Sequence, residues 1–290
     1  FQAICNPGDE VIIPAPFWVS YPEMVKLADG VPVIVYTTEE QGFKFTVDQI
    51  RQAVTAKTKA IILNSPSNPT GMVYTREELA ELADLAVEKG FYVVSDEFYE
   101  KLIYDGKTHV SIASINEKIK AQTIIVNGVS KTYAMTGWRI GYTASTPEIA
   151  KIMSNVQSHA TSNPNSIAQK AAEAAISGPQ DMVATMVAAF ASRRDYMVKR
   201  INSMPGLSCV NPNGAFYVMM NISQLMGKEL AGLKIQSSDD FANVLLEKAN
   251  VALVPGSGFG IDTHVRLSYA TSQENITKGL DRIEQFLKQG

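Results

Sequence analysis

Cysteine is scarce: Cys5 and Cys209 are the only two in 290 residues and form no CxxC pair. Neither a disulfide framework nor a thiolate metal site is therefore encoded, and the expected setting is reducing and cytoplasmic. Histidine is nearly as rare, and the scattering of His109, His159 and His264 removes the paired spacing of zinc hydrolases. Long hydrophobic runs are missing too. Stretches such as Val11 to Ile13, Ile61 to Leu63 and Ile124 to Val126 are far shorter than the roughly 20 residues that cross a bilayer. Charge is sparse at 19%, and 26 Lys and Arg against 29 Asp and Glu leave a net −3. No positive field exists to hold a nucleic acid or an anionic membrane.

What is present is apolar. Hydrophobic residues make up 46%, enough for a large core, and the length suggests about two domains at roughly 150 residues each. From residue 10 onward, short β-branched runs alternate with helical patterns, a βαβα rhythm that predicts a parallel sheet with helices on both faces. Strands are expected near 10–14, 31–36, 59–64, 91–96, 122–127 and 140–145. Between the third and fourth, Thr75 and Glu78 form a capping box, Leu79, Leu82, Ala83 and Ala86 make one face, and Gly90 stops the helix. Beyond Pro147 helices dominate, one near 180–203 with Val183, Val187, Phe190, Met197 and Ile201 at helical spacing. Residues 207–270 carry strand-like runs (Phe216 to Met220, Val251 to Val254, Val265 to Tyr269) around a helix at about 238–249, with a final helix after Ser272. The reading is a large domain over 1–180 and a smaller α+β domain over 181–290, which includes the interdomain helix. Phe1 to Gly8 reads as the last turn of a helix stopped by Asn6-Pro7-Gly8, so the polypeptide is expected to continue upstream.

Ligands of open parallel sheets bind beyond the carboxyl ends of the strands, and Asn68, Asp96 and Lys131 fall at or just past three such ends. Asp96 ends an apolar run and needs a cationic or protonated partner there, or else it is a helix cap or a loop carboxylate. Lys131 follows a buried strand and precedes Tyr133, Met135 and Trp138, surroundings that would desolvate an amine and lower its pKa as Schiff-base chemistry requires; the plainer alternative is a surface lysine. Arg139 stands eight residues on as an anion anchor. The proline-rich loop from Ser65 to Gly71 would hold the Asn68 amide over a strand end, or is an ordinary turn. Trp18 is placed to stack on a planar ligand or to fill the core, and Arg266, a charge within an apolar strand, suits a bidentate carboxylate. The glycines of Pro255 to Gly260 lack the βαβ context of a dinucleotide loop and read as a turn.

Together these residues resemble the fold-type I, pyridoxal-phosphate (PLP)-dependent aminotransferases of class I/II, in the bacterial-type aspartate aminotransferase branch. The segments that carry the resemblance are Pro16 to Pro22 (PFWVSYP), Asn68 to Gly71 (NPTG), Asp96 to Tyr99 (DEFY), Ser130 to Gly141 (SKTYAMTGWRIG) and Arg266 to Ala270 (RLSYA), in the family's order and from end to end of the chain. The resemblance implies an α/β fold, a mainly parallel sheet sandwiched by helices, with a smaller C-terminal α+β domain. It implies transfer of an amino group between an α-amino acid, aspartate favoured, and a 2-oxo acid by a ping-pong mechanism, in a homodimer.

By resemblance, Lys131 holds PLP as a Schiff base and moves the substrate α-proton, while Asp96 pairs with the pyridine nitrogen. Tyr99 and Asn68 bond the ring oxygen, Arg139 binds the phosphate with Ser130 as a helper, and Trp18 stacks on the ring. Arg266 grips the α-carboxylate, with Trp18 and Asn68 beside the substrate. Two departures stand out. Gly128 occupies the place where the family often has a phosphate-binding Ser. The family's phosphate loop, N-terminal arm and partner-reaching tyrosine would lie upstream of Phe1, so the chain as given is expected to hold PLP weakly unless it is longer. Two other readings are a PLP-dependent lyase on the same fold and a truncated non-catalytic paralogue.

Overall fold

The computed structural model describes residues 1–288. In chain order the elements are β1 (Glu10–Ala15), α1 (Ser20–Lys26), β2 (Val31–Tyr36), α2 (Val47–Ala53), β3 (Thr58–Asn64), α3 (Arg76–Lys89), β4 (Tyr92–Asp96), α4 (Glu117–Ala121), β5 (Thr123–Gly128) and β6 (Gly141–Ala144). Three helices follow, α5 (Pro147–Ala160), α6 (Ser166–Ser177) and α7 (Asp181–Asn202). The remainder holds β7 (Tyr217–Asn221), the short hairpin β8 (Glu229–Leu230) and β9 (Leu233–Lys234), α8 (Ser238–Val244), β10 (Val254–Pro255), β11 (His264–Ser268) and α9 (Gln273–Leu287).

The first six strands form one sheet in the order β2-β1-β3-β4-β5-β6. Alternation along each strand sends successive side chains to opposite faces. Ile12, Ile61, Leu63 and Val93 join the apolar faces of α2, α3 and α4, whereas Val11, Ile13, Ala60 and Ile62 pack with Tyr21 and Val25 of α1. Both faces are thus covered, as the rhythm predicts. The Thr75–Glu78 capping box is present, and Gly90 ends α3 in the left-handed region at φ 77°.

One strand departs from the parallel expectation. β6 runs antiparallel to β5, with Gly128 opposite Gly141. A parallel return needs a crossover of a dozen or more residues, usually helical. The β5–β6 connection contains only short turns, so the chain doubles back. The start of β6 therefore lies at the same sheet edge as the carboxyl ends of β3, β4 and β5.

In the C-terminal part, β7, β11 and β10 form a three-stranded antiparallel sheet. Its core takes Phe190, Met197 and Ile201 from α7, Ile276, Leu280 and Ile283 from α9, and also Tyr99, Leu102 and Tyr104 from the segment after β4. The strand expected at 251–254 shrinks to Val254–Pro255, because the amide of Val251 is used to close the preceding helical segment on the Leu245 carbonyl at 3.1 Å.

Candidate active site

The sheet reverses its order between β1 and β3, and a cleft of about 440 Å³ opens at the carboxyl edge beside this switch. All the predicted site residues line it: Trp18 after β1, Asn68 after β3, Asp96 and Tyr99 at the end of β4, Ser130 and Lys131 after β5, Arg139 before β6, and Arg266 from β11.

Asp96 is the last residue of β4, and its carboxylate is clamped from two sides. Tyr21 of α1 donates its phenol to Oδ2 at 2.5 Å, and the Phe98 amide donates to Oδ1 at 3.3 Å. Burial raises Asp96 above the ordinary carboxylate range, and these two donors oppose the rise. Tyr21 was not singled out from the sequence as a site residue. The signal was present in its spacing, three residues after Trp18 and in the first turn of α1. The next residue, Glu97, points away into a buried network with Ser95, Ser111 and His109 at 2.7–3.0 Å, which anchors the strand end from behind.

The Asn68 loop is held by more than its prolines. The Asn64 side chain accepts from the Asn68 amide at 2.7 Å and donates to the Asp96 carbonyl at 3.1 Å, tying the loop to β4. Gly71 closes the loop at φ +70°, where a Cβ would lie 2.5 Å from the Pro212 side chain. The Asn68 side-chain oxygen accepts from Arg266 at 2.7 Å, which leaves its amide NH2 as a donor. Arg266 is sandwiched between the rings of Tyr217, at 4.4 Å, and Phe259, at 4.8 Å, and makes no ion pair among the described residues. Such a half-buried guanidinium is a ready receptor for a carboxylate.

Lys131 has its pKa lowered, first by burial and then by the charges of Arg139 and Arg266, with Asp96 pulling the other way. The direction matches expectation, but the surroundings do not. The aromatic faces near Nζ belong to Phe216 at 5.9 Å and Tyr99 at 6.0 Å. Tyr133 and Met135 instead pack with Val129 and Ile140, and Trp138 is exposed. The turn after Lys131 redirects the chain through Ala134 at φ 53°, so sequence neighbours leave the site while residues over thirty positions away enter it. Arg139 also adopts φ 55°, its guanidinium braced on the Thr136 carbonyl at 2.7 Å.

The hydroxyl of Tyr99 lies 3.0 Å from that of Tyr217, a further cleft residue the sequence reading did not select. Trp18 meets Tyr21 edge-on at 5.4 Å and 87°. Gly128 proves sterically required: a Cβ there would sit 2.5 Å from the Phe98 ring and 2.7 Å from the Ile140 carbonyl, so a serine has no room, whereas Ser130 does line the cleft.

The description "Aminotransferase class I and II" belongs to a family model that matches residues 1–283. An aspartate aminotransferase of Bacillus sp. strain YM-2 is 53% identical over 99% of this chain and 72% of its own length. An aspartate/prephenate aminotransferase of Cereibacter sphaeroides is 49% identical over 98% of this chain and 72% of its own. Among solved structures, the aspartate aminotransferase of Rhizobium meliloti superposes with a TM-score of 0.96 at 41% identity, covering 99% and 72% of the two chains. The aromatic aminotransferase of Pyrococcus horikoshii gives 0.93 at 42% identity over 99% and 75%.

Proposed function

The chain belongs to the aminotransferases of class I and II and is a PLP-dependent transaminase; from this premise we propose that it transfers the amino group of aspartate to a 2-oxo acid, using the cleft at the sheet switch. One observation carries the site assignment: a single cleft presents a buried carboxylate, a desolvated amine and two separate arginines. That donor set fits PLP, whose pyridinium, aldehyde and phosphate each need one of these partners. When bound, PLP supplies an electron sink for the negative charge developed at the substrate α-carbon.

The chain's own residues supply the rest. Asp96, raised by burial and therefore short of a cation, would meet the ring nitrogen and keep a proton on it. Lys131 Nζ would hold the cofactor and, once released as a free amine whose pKa is lowered by burial, would move the proton at the substrate α-carbon. Asn68 and Tyr99 would donate to the ring oxygen, Arg139 with Ser130 would take the phosphate, and Trp18 would cover the ring. Arg266 binds the substrate α-carboxylate through its fork while its two aromatic neighbours exclude water.

The preference for aspartate rests on the three relatives at 51–53% identity that bear that name. The proposal includes a cytoplasmic homodimer with a domain division near residue 180. No described helix is long and apolar enough to cross a membrane, and the dimer is supported by an apolar groove that includes Met24, Leu27, Tyr142 and Val156. The test is spectroscopic and chemical. Protein loaded with PLP should show a visible band that converts to a near-ultraviolet band on adding aspartate, and borohydride reduction followed by peptide mapping should tag Lys131. A tag on another lysine refutes the site assignment.

A further inference from the structure

Tyr217 is buried, at 6% exposure, yet it lines the cleft and touches both halves of the site. It opens β7, in whose ladder with β11 it pairs with Ser268 while Arg266 pairs with Met219, so Tyr217 and Arg266 are diagonal neighbours. The Arg266 guanidinium lies 4.4 Å over its ring, and its hydroxyl is 3.0 Å from that of Tyr99, 118 residues away in sequence.

Two phenols that share one hydrogen bond must divide the roles of donor and acceptor. Arg266 stands over the ring of Tyr217, which favours the ionised form of that phenol and makes it the stronger donor. Burial raises both phenols and the charge of Arg266 opposes the rise at both, but the charge of Asp96 adds to the rise at Tyr99 and not at Tyr217. The geometry admits either phenol as donor; with Tyr217, the more acidic, donating and Tyr99 accepting, the Tyr99 proton is free to point into the cleft.

We propose that Tyr217 is a positioning residue that carries the occupancy of the Arg266 carboxylate site to the Tyr99 hydroxyl, and through it to the cofactor oxygen; this rests on the roles assigned above to Arg266 and Tyr99. A bound carboxylate neutralises Arg266, which weakens Tyr217 as a donor and, in turn, Tyr99. The other charged groups near the pair are Asp96 and Lys131, the latter 6.0 Å from the Tyr99 ring, and neither is altered by the tests below.

The experiment titrates the visible band of the PLP-loaded protein with pH, with and without maleate as a dicarboxylate probe. Tyr217→Phe keeps the ring under Arg266 and removes only the hydroxyl. It should raise the pKa of the band by about 0.4–1 unit, roughly 2.5- to 10-fold in proton affinity. Maleate should raise the pKa of the band in the unaltered protein and raise it less in Tyr217→Phe. Incorporation of 3-fluorotyrosine at position 217, a more acidic phenol, should move the band the opposite way and keeps the test alive if Tyr217→Phe does not fold. A merely structural role would lower the melting temperature of Tyr217→Phe and leave both titrations unchanged, which overturns the proposal. If the unaltered protein shows no band, the cofactor assignment fails and the proposal falls with it. If it shows a band that maleate does not move, the Arg266 assignment is the one at fault, and the proposal that depends on it falls too.

Discussion

Replacing Tyr21 with Phe removes one oxygen atom from the site and nothing else, because the ring keeps its place against Trp18. Asp96 then retains only the Phe98 amide at 3.3 Å. A hydrogen bond to a buried charge contributes about 1.5–3 kcal/mol. At about 2–4 °C per kcal/mol for chains near this size, the unloaded protein should melt about 3–12 °C lower. The loss should depend on pH. The folded pKa of Asp96 lies above its ordinary value of 3.8, so between those two values the carboxyl takes up a proton on folding. Its contribution to stability is complete below the ordinary value and is lost as pH rises through the folded pKa. Removing the phenol lifts the folded pKa further, so the added loss appears where Asp96 is charged and fades where it is protonated. Scanning fluorimetry at about pH 8 and near pH 3.8 should therefore show a deficit that is larger at the first than at the second. Saturating PLP should narrow the deficit at the higher pH, since a protonated ring nitrogen neutralises the carboxylate. An equal deficit at both pH values would mean that Tyr21 serves packing alone, and the reasoning would be refuted.

Arg266→Lys loses the bidentate fork and the stacking on Tyr217 and Phe259; kcat/KM for aspartate should fall about 10- to 150-fold, with PLP retention after dialysis unchanged. Gly128→Ser restores a residue type the family often uses, but its Cβ would press on Phe98 and the Ile140 carbonyl; melting should show a loss of about 1–3 kcal/mol and PLP affinity should not improve. Glu97 is raised by burial but lowered more by His109, Ser111 and Ser95, leaving it below its ordinary value of 4.5. Its contribution is thus present above that value and lost as pH falls through the folded pKa. Glu97→Gln should be less stable near neutrality by about 1–3 kcal/mol, with the difference closing in acid denaturation curves.

Much of the molecule was legible from local rules. Strands β1 to β5 and helices α3, α7 and α9 lie within a few residues of the pattern that predicts them, because β-branched runs, the Thr75–Glu78 box and Gly90 act over a few neighbouring positions. Asn68, Asp96 and Lys131, which line the cleft, were legible as polar residues at the ends of buried strands, where an isolated charge is costly unless it serves a ligand. The resemblance then supplied the role of each one.

Other features depend on which segments meet, and no local signal encodes that. The antiparallel turn-back of β6, which carries Arg139 to the carboxyl edge, depends on how a twelve-residue connection packs rather than on its composition. The lowered pKa of Lys131 follows from Tyr99, Phe216 and two arginines converging on it, not from the aromatics that follow it in sequence. Tyr21 acquires its role from a carboxylate 75 residues away, and Tyr217 from a phenol 118 residues away. Sequence patterning decided which residues would be buried and which strand ends would be polar, since both follow from short-range periodicity. The strength of each acid, base and anion receptor was decided by tertiary structure, because electrostatics and desolvation depend on distances that only the folded chain defines.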